Sequence, residues 1–115
     1  MVLFTGPLYS GKHDAAKAYA EARGKNLDEL TVLEDAQAFF FEHSDETFSQ
    51  VQLETLAEEY GKADLVLITE VGSGLVPVDP KDRAAREYAG RFTNLLAEQA
   101  EEVYRVFCGI PKRLK

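Results

Sequence analysis

The chain has 115 residues, which fits one domain with a single modest hydrophobic core. Its 45% hydrophobic and 29% charged residues are typical of a folded globular protein and argue against a disordered one. The formal net charge of −7 argues against nucleic acid or an anionic membrane as a partner, because both require a basic surface. A small anionic ligand stays open, since backbone N–H groups and one lysine can bind phosphate.

The sequence gives no sign of export or membrane insertion. No charged segment precedes an apolar stretch at the N-terminus, so no signal peptide is predicted. No apolar run approaches the roughly 20 residues of a membrane-spanning helix. Cys108 is the only cysteine, which excludes a disulfide within the chain and a cysteine-based metal site. We therefore expect a cytoplasmic protein.

Four short apolar runs predict β-strands at residues 2–5, 30–33, 65–69 and 103–108. Helical spacing of apolar residues separates these runs, at residues 12–23, 48–60 and from Asp79 to about residue 100. Strands that alternate with helices imply crossover connections and a mostly parallel sheet. The predicted fold is one domain over residues 1–115. It is an α/β, P-loop-type (Rossmann-like) three-layer fold with about four strands.

Two features fit this outline less simply. Residues 34–45 follow neither a helical nor a strand period, and Phe39, Phe40 and Phe41 are consecutive. Three adjacent aromatic side chains cannot all face one small core, so we interpret this run as a core or subunit contact. Cys108 ends the last apolar run and is interpreted as a buried strand residue.

The sequence GPLYSGKH at residues 6–13 matches the first seven positions of the phosphate-binding pattern G-x-x-x-x-G-K-S/T. In such a loop the glycines allow a tight turn, backbone N–H groups converge on phosphate oxygens, and the lysine reaches the outer phosphates. The loop follows the first predicted strand and precedes the first predicted helix, as this mechanism requires. The predicted nucleotide-binding residues are Gly6, Leu8, Tyr9, Ser10, Gly11, Lys12 and His13.

The metal-binding part of this pattern is incomplete. His13 stands where a hydroxyl normally binds Mg²⁺, and a neutral imidazole suits this hard ion poorly. Glu70, at the end of the third predicted strand, is the candidate for a carboxylate that holds Mg²⁺ directly or through water. The alternatives are a glycine-rich turn without a ligand and a solvent-exposed glutamate.

Several short motifs occur in a common order along the chain. The segment TEVGSGLVP at residues 69–77 resembles the pattern NEVGxGxVP, and residues 83–94 resemble R-x-x-R-D-x-x-G-R-x-N. Residues 100–115 resemble ADEVxxVVxGxPxxxK, and residues 4–12 resemble the start of VTGGxRSGKS. Together these motifs are similar to those of the adenosylcobinamide kinase / adenosylcobinamide-phosphate guanylyltransferase family.

The resemblance implies a function and a set of ligands. Members of the family phosphorylate the hydroxyl of the cobinamide aminopropanol arm and then transfer GMP to that phosphate through a guanylylated histidine. They have a P-loop fold and are described as trimers. For this chain the resemblance implies ATP or GTP with Mg²⁺, cobinamide as the acceptor and a homo-oligomer. Lys12 would neutralise phosphate charge and Glu70 would assist Mg²⁺.

Three departures from the family pattern modify this expectation. His13 replaces the Walker Ser/Thr, and Tyr9 replaces an arginine of the loop. The family's central region holds the guanylylated histidine and an acidic strand end followed by CLT; residues 34–62 are too few for both and match neither. His43 is the only histidine there, lacks flanking arginines, and is interpreted as a surface or packed residue. We predict at most the kinase step and no guanylyl transfer. The alternative is a non-catalytic, oligomeric binding or regulatory module of corrinoid metabolism.

Overall fold

A computed structural model describes residues 1–71 and 79–115. The strands are β1 (Val2–Gly6), β2 (Val32–Leu33), β3 (Leu65–Thr69), β4 (Glu102–Phe107) and β5 (Ile110–Arg113). The helices are α1 (Lys12–Ala22), α2 (Ala38–Glu42), α3 (Gln50–Tyr60) and α4 (Pro80–Gln99), and a short 3-10 turn covers Leu27–Glu29. The predicted strand–helix alternation is therefore confirmed, with boundaries that shift by one or two residues.

The five strands of the described residues form one sheet in the order β2-β3-β1-β4-β5. The first four run parallel, and β5 pairs antiparallel with β4. The α/β, mostly parallel architecture is confirmed, but the sheet has five strands where the sequence predicted about four. The additional strand was missed because all four of its side chains are exposed and Pro111 lies within it, which fits only a sheet edge.

The two faces of the sheet bury separate sets of side chains, because successive residues of a strand point to opposite sides. On β1, Phe4 packs towards α1, whereas Leu3 packs towards α2, α3 and α4. The same alternation continues on β3, where Leu67 faces α1 and Ile68 faces the other helices. Helices thus cover both faces, which gives the three layers that the sequence predicted.

The starts of α3 and α4 follow from capping groups. The Asp79 side chain accepts a hydrogen bond from the Lys81 backbone N–H at 2.9 Å, and Pro80 occupies the first helical position of α4. Ser49 and Gln52 form a reciprocal capping box, which starts α3 two residues later than predicted. None of the described helices combines the length and the apolar character that crossing a membrane would require.

The Phe39–Phe41 run packs within the chain. Phe40 is buried in the core, while Phe39 and Phe41 are partly buried against it. Because α2 is helical, the three rings point in different directions, so only Phe40 enters the core fully and the other two pack at its margin. His43 stacks on Phe39, with ring centroids 4.3 Å apart, and its Nδ1 lies 2.8 Å from the Phe39 carbonyl oxygen.

The interpretation of Cys108 as a buried strand residue is also wrong. Cys108 is exposed and, with Gly109, forms the two-residue turn between β4 and β5. Both residues have positive φ, 52° for Cys108 and 75° for Gly109. This conformation matches the right-handed twist of a β-hairpin, which explains how the chain reverses so abruptly.

Candidate phosphate site

The predicted phosphate loop connects β1 to α1, as the sequence pattern requires. It begins at Gly6, where an added Cβ would collide with the Val106 carbonyl oxygen of the neighbouring strand. It ends at Gly11, whose φ of 91° disfavours any residue with a Cβ. Within the loop, the Ser10 N–H donates to the Pro7 carbonyl at 3.2 Å. The two glycines of the motif are therefore explained by close approach and by backbone conformation.

The β4–β5 turn supports the loop from one side. The Gly109 N–H donates to the Ser10 carbonyl at 2.8 Å, and a Cβ on Gly11 would lie 3.1 Å from the Gly109 Cα. The sequence did not predict this contact. At the tip of the loop, Tyr9 has a φ of 59° and is 94% exposed, so its ring is available to a ligand.

Lys12 folds back over the loop that precedes it. Its Nζ donates to the Pro7 carbonyl at 2.9 Å and lies 3.4 Å from both the Gly6 carbonyl and Ser10 Oγ. Burial lowers the pKa of Lys12, and Asp35 and Glu70 partly oppose that effect. The ammonium group is thus held at the loop by carbonyl oxygens, which are ligands that phosphate oxygens can replace.

His13 is paired with a glutamate from the end of β2. Its Nδ1 lies 2.6 Å from Glu34 Oε1, and the two side chains are 59% and 48% exposed. Asp35 follows with a φ of 52° and contributes to the same cleft of about 330 Å³. The cleft is lined by Leu8, Tyr9, Ser10, Gly11, Lys12, His13, Glu34, Asp35, Leu67 and Thr69. It therefore combines the predicted loop with two carboxylates that the sequence did not single out.

Glu70 lies beside the loop, but an arginine occupies its carboxylate. The Glu70 N–H donates to the Gly6 carbonyl at 2.8 Å, which fixes its backbone next to the start of the loop. Its carboxylate accepts hydrogen bonds from Arg105 Nε at 2.7 Å and Nη2 at 3.0 Å. These bonds hold the pKa of Glu70 below its usual range.

Sequence reasoning missed Arg105. The one signal for Arg105 in the sequence was that it is a charged residue within the apolar run that forms β4.

The described residues do not form a resident metal centre. Within residues 1–71 and 79–115, no group of three His, Cys, Asp or Glu side chains is placed to hold a metal ion. The Glu70 carboxylate is engaged by Arg105, and His13 offers nitrogen where Mg²⁺ prefers oxygen. The two positions that the sequence pattern assigns to the metal, His13 and Glu70, therefore fit Mg²⁺ poorly.

Two comparisons with known proteins relate the chain to the same family. The family model described as "Cobinamide kinase / cobinamide phosphate guanyltransferase" matches residues 27–114. The bifunctional adenosylcobalamin biosynthesis protein CobU of Salmonella typhimurium is 39% identical over 67 residues. This alignment covers 57% of the chain and 37% of that relative, so the chain matches little more than a third of the relative's length. The model match includes Glu70 and Arg105 but begins after residues 6–13.

Proposed function

The chain belongs to the cobinamide kinase / cobinamide phosphate guanyltransferase family, and from this premise we propose that it binds the triphosphate of ATP or GTP at residues 6–13. The observation that carries the proposal is the placement of Lys12. Its ammonium group lies over a loop that connects the central strand β1 to the N-terminus of α1. A strand, a glycine-bounded loop and a helix N-terminus in this order form a phosphate-binding arrangement.

The chain's own groups would act mainly by position and charge. Backbone N–H groups of the loop and the first turn of α1 would donate to phosphate oxygens, and Lys12 would exchange the Pro7 carbonyl for phosphate. The nucleotide would bring Mg²⁺ with it, held chiefly by phosphate oxygens, because no three described His, Cys, Asp or Glu side chains are grouped to hold the ion. Since phosphoryl transfer depends mostly on positioning and charge stabilisation, a weak metal site should lower the rate more than the affinity.

The reaction that family membership suggests is phosphorylation of the cobinamide aminopropanol hydroxyl. The acceptor oxygen would form a bond to the γ-phosphorus, and the bond between the γ-phosphorus and the β–γ bridging oxygen would break. Nucleoside diphosphate and the proton of the hydroxyl would leave. We propose that the later guanylyl transfer is absent. His13 is paired with Glu34, and His43 packs on Phe39 in a segment without arginines. A histidine nucleophile needs nearby cations to stabilise the charge on the α-phosphate.

A second candidate is a non-catalytic binding or regulatory module of corrinoid metabolism. The hydrogen bond between Gly109 and Ser10 favours it, because the loop then also serves as a scaffold for the β4–β5 turn. A homo-oligomer remains a proposal that comes from the family resemblance, and a cytoplasmic location remains a proposal as well. Nucleic acid and membranes are not proposed as partners, in line with the net charge of −7.

Titration with ATP and GTP, followed by a turnover assay with cobinamide and Mg²⁺, separates the two candidates. We expect binding that Lys12→Ala weakens by about tenfold or more, the loss typical of one charge-assisted contact. Lys25→Ala is the matched control, because Lys25 is an exposed lysine just beyond the other end of α1. Binding with turnover supports the kinase, binding without turnover supports the module, and equal binding by Lys12→Ala and wild type would refute the loop as the phosphate site.

A further inference from the structure

The ion pair between Glu70 and Arg105 lies next to the phosphate loop and has no role in the function proposed so far. Both contacts are short, 2.7 Å from Arg105 Nε and 3.0 Å from Nη2, and each nitrogen reaches a different carboxylate oxygen. Neither side chain is fully buried, since Arg105 is 46% and Glu70 29% exposed. The pair therefore has bidentate geometry and is partly exposed to solvent.

The sheet places Arg105 close to the loop. It lies near the carboxyl end of β4 and pairs across the sheet with Thr5, which directly precedes Gly6. The carboxyl ends of parallel strands share one edge of the sheet, where ligands of such folds bind. A guanidinium group that binds a carboxylate through two parallel N–H groups has the same geometry that it needs for phosphate.

The Glu70 carboxylate interacts with two cations at once. It is hydrogen-bonded to Arg105, and it is near enough to Lys12 to oppose the burial that lowers the pKa of that lysine. The loop from Gly6 to His13 contains one lysine and no arginine, in a chain with a net charge of −7. A triphosphate bound there would add further negative charge, and the guanidinium group of Arg105, on the strand next to β1, is held by a carboxylate that phosphate can replace.

We propose that Arg105 is a second phosphate-binding residue of this site and that Glu70 holds it in position until phosphate replaces the carboxylate. This inference rests on the proposed function, because it assumes that residues 6–13 bind phosphate. On binding, the guanidinium group exchanges one bidentate anionic partner for another, which limits the cost of breaking the ion pair. Glu70 is then a competitor of the ligand, so its negative charge reduces phosphate affinity.

A purely structural ion pair makes a different prediction. If the pair only ties the end of β3 to β4, then breaking it from either side should have the same effect on the loop. A competing carboxylate instead requires opposite effects, because removal of Arg105 takes away a ligand and removal of Glu70 frees one. The direction of the two changes therefore separates the explanations.

The experiment measures the affinity for inorganic tripolyphosphate by calorimetry, without Mg²⁺, for wild type, Arg105→Gln and Glu70→Gln. We expect Arg105→Gln to bind about tenfold more weakly, as for the loss of one charge-assisted contact, and Glu70→Gln to bind severalfold more tightly. Arg105→Lys should recover only part of the loss, because lysine cannot bind phosphate bidentately. Lys25→Gln removes one positive charge far from the loop and should remain within about twofold of wild type.

Thermal unfolding of each variant tests whether the fold is retained. Glu70→Gln is informative in either case, because a misfolded protein would not gain affinity for tripolyphosphate. Equal losses in Arg105→Gln and Glu70→Gln, or an unchanged affinity in Arg105→Gln, would overturn the role of Arg105. If Lys12→Ala weakens binding in the same assay, such a result leaves the proposed phosphate loop intact. Absence of tripolyphosphate and nucleotide binding by wild type would overturn the loop and the inference together.

Discussion

Replacement of Gly11 by alanine tests whether the phosphate loop depends on the β4–β5 turn. Gly11 has a φ of 91°, and an added Cβ would lie 3.1 Å from the Gly109 Cα. Gly24 is the matched control: it lies two residues beyond the end of α1 with a φ of 73°, and no described atom lies within 4 Å of its added Cβ. The two alanine variants share a disfavoured backbone conformation and differ in the contact with Gly109.

The magnitudes follow from this difference. A left-handed conformation costs a residue with a Cβ about 1–2 kcal/mol, and the stiffer unfolded chain of alanine returns roughly 0.4–1 kcal/mol. We therefore expect Gly24→Ala to lower the free energy of unfolding by about 1 kcal/mol. In Gly11→Ala the close approach to Gly109 also weakens the 2.8 Å hydrogen bond to Ser10, which adds about 0.5–1.5 kcal/mol.

Urea denaturation without ligand measures the stability of both variants, and calorimetry with tripolyphosphate measures their affinity. Gly11→Ala should be about 2 kcal/mol less stable than wild type and bind at least about tenfold more weakly, because the loop shifts away from Gly109. Gly24→Ala should bind within about twofold of wild type. Equal losses of stability in the two variants, with wild-type affinity for tripolyphosphate in both, would show that the β4–β5 turn does not support the loop.

Three further predictions concern the histidines and the carboxylates. His13→Ser should raise the Mg²⁺ dependence of nucleotide affinity, because it restores a hydroxyl and releases Glu34. Calorimetry with and without Mg²⁺ checks this, and an equal Mg²⁺ dependence in wild type and variant contradicts it. Incubation with α-labelled GTP and Mg²⁺ should leave no acid-labile label on His13 or His43, as read by denaturing electrophoresis and mass spectrometry. Glu102 accepts hydrogen bonds from Tyr19 and Tyr104, which hold its pKa below the ordinary 4.5. Its contribution to the free energy of unfolding is therefore fully present above pH 4.5 and is lost as the pH falls below that value. Glu102→Gln should be about 1–2 kcal/mol less stable than wild type at pH 7 and should lose less stability than wild type on acidification. Thermal melting at several pH values checks this, and the same acid dependence in variant and wild type would count against it.

The sequence predicted the elements whose residues interact locally. The Asp79-Pro80 start of α4 was found because a cap and a fixed φ are properties of adjacent residues. The strand–loop–helix order around residues 6–13 was found for the same reason. The edge strand Ile110–Arg113 escaped notice because exposure on both faces removes the alternating pattern that identifies a strand.

The parts of the site that were not predicted depend on residues far apart in the chain. His13 meets Glu34, and Glu70 meets Arg105 across 35 positions, only because the sheet order and its register bring them together. Arg105 faces Glu70 because of strand parity, and a shift of one residue in the register of β4 would turn it to the other face. No local pattern encodes that register, so spacing alone could not have found the pair.

The hydrogen bond from Gly109 to Ser10 has a consequence for folding. It joins residues near opposite ends of the described chain, so the loop cannot reach its supported form before β4 has paired with β1 and reversed into β5. Such non-local pairing is among the slower steps of folding. A phosphate ligand that binds only the loop supported by Gly109 would therefore stabilise the cooperative unit that contains β1, β4 and β5. The stabilisation would grow with the logarithm of the ligand concentration. Amide exchange at Gly109 would then slow on ligand addition, although Gly109 itself need not touch the ligand.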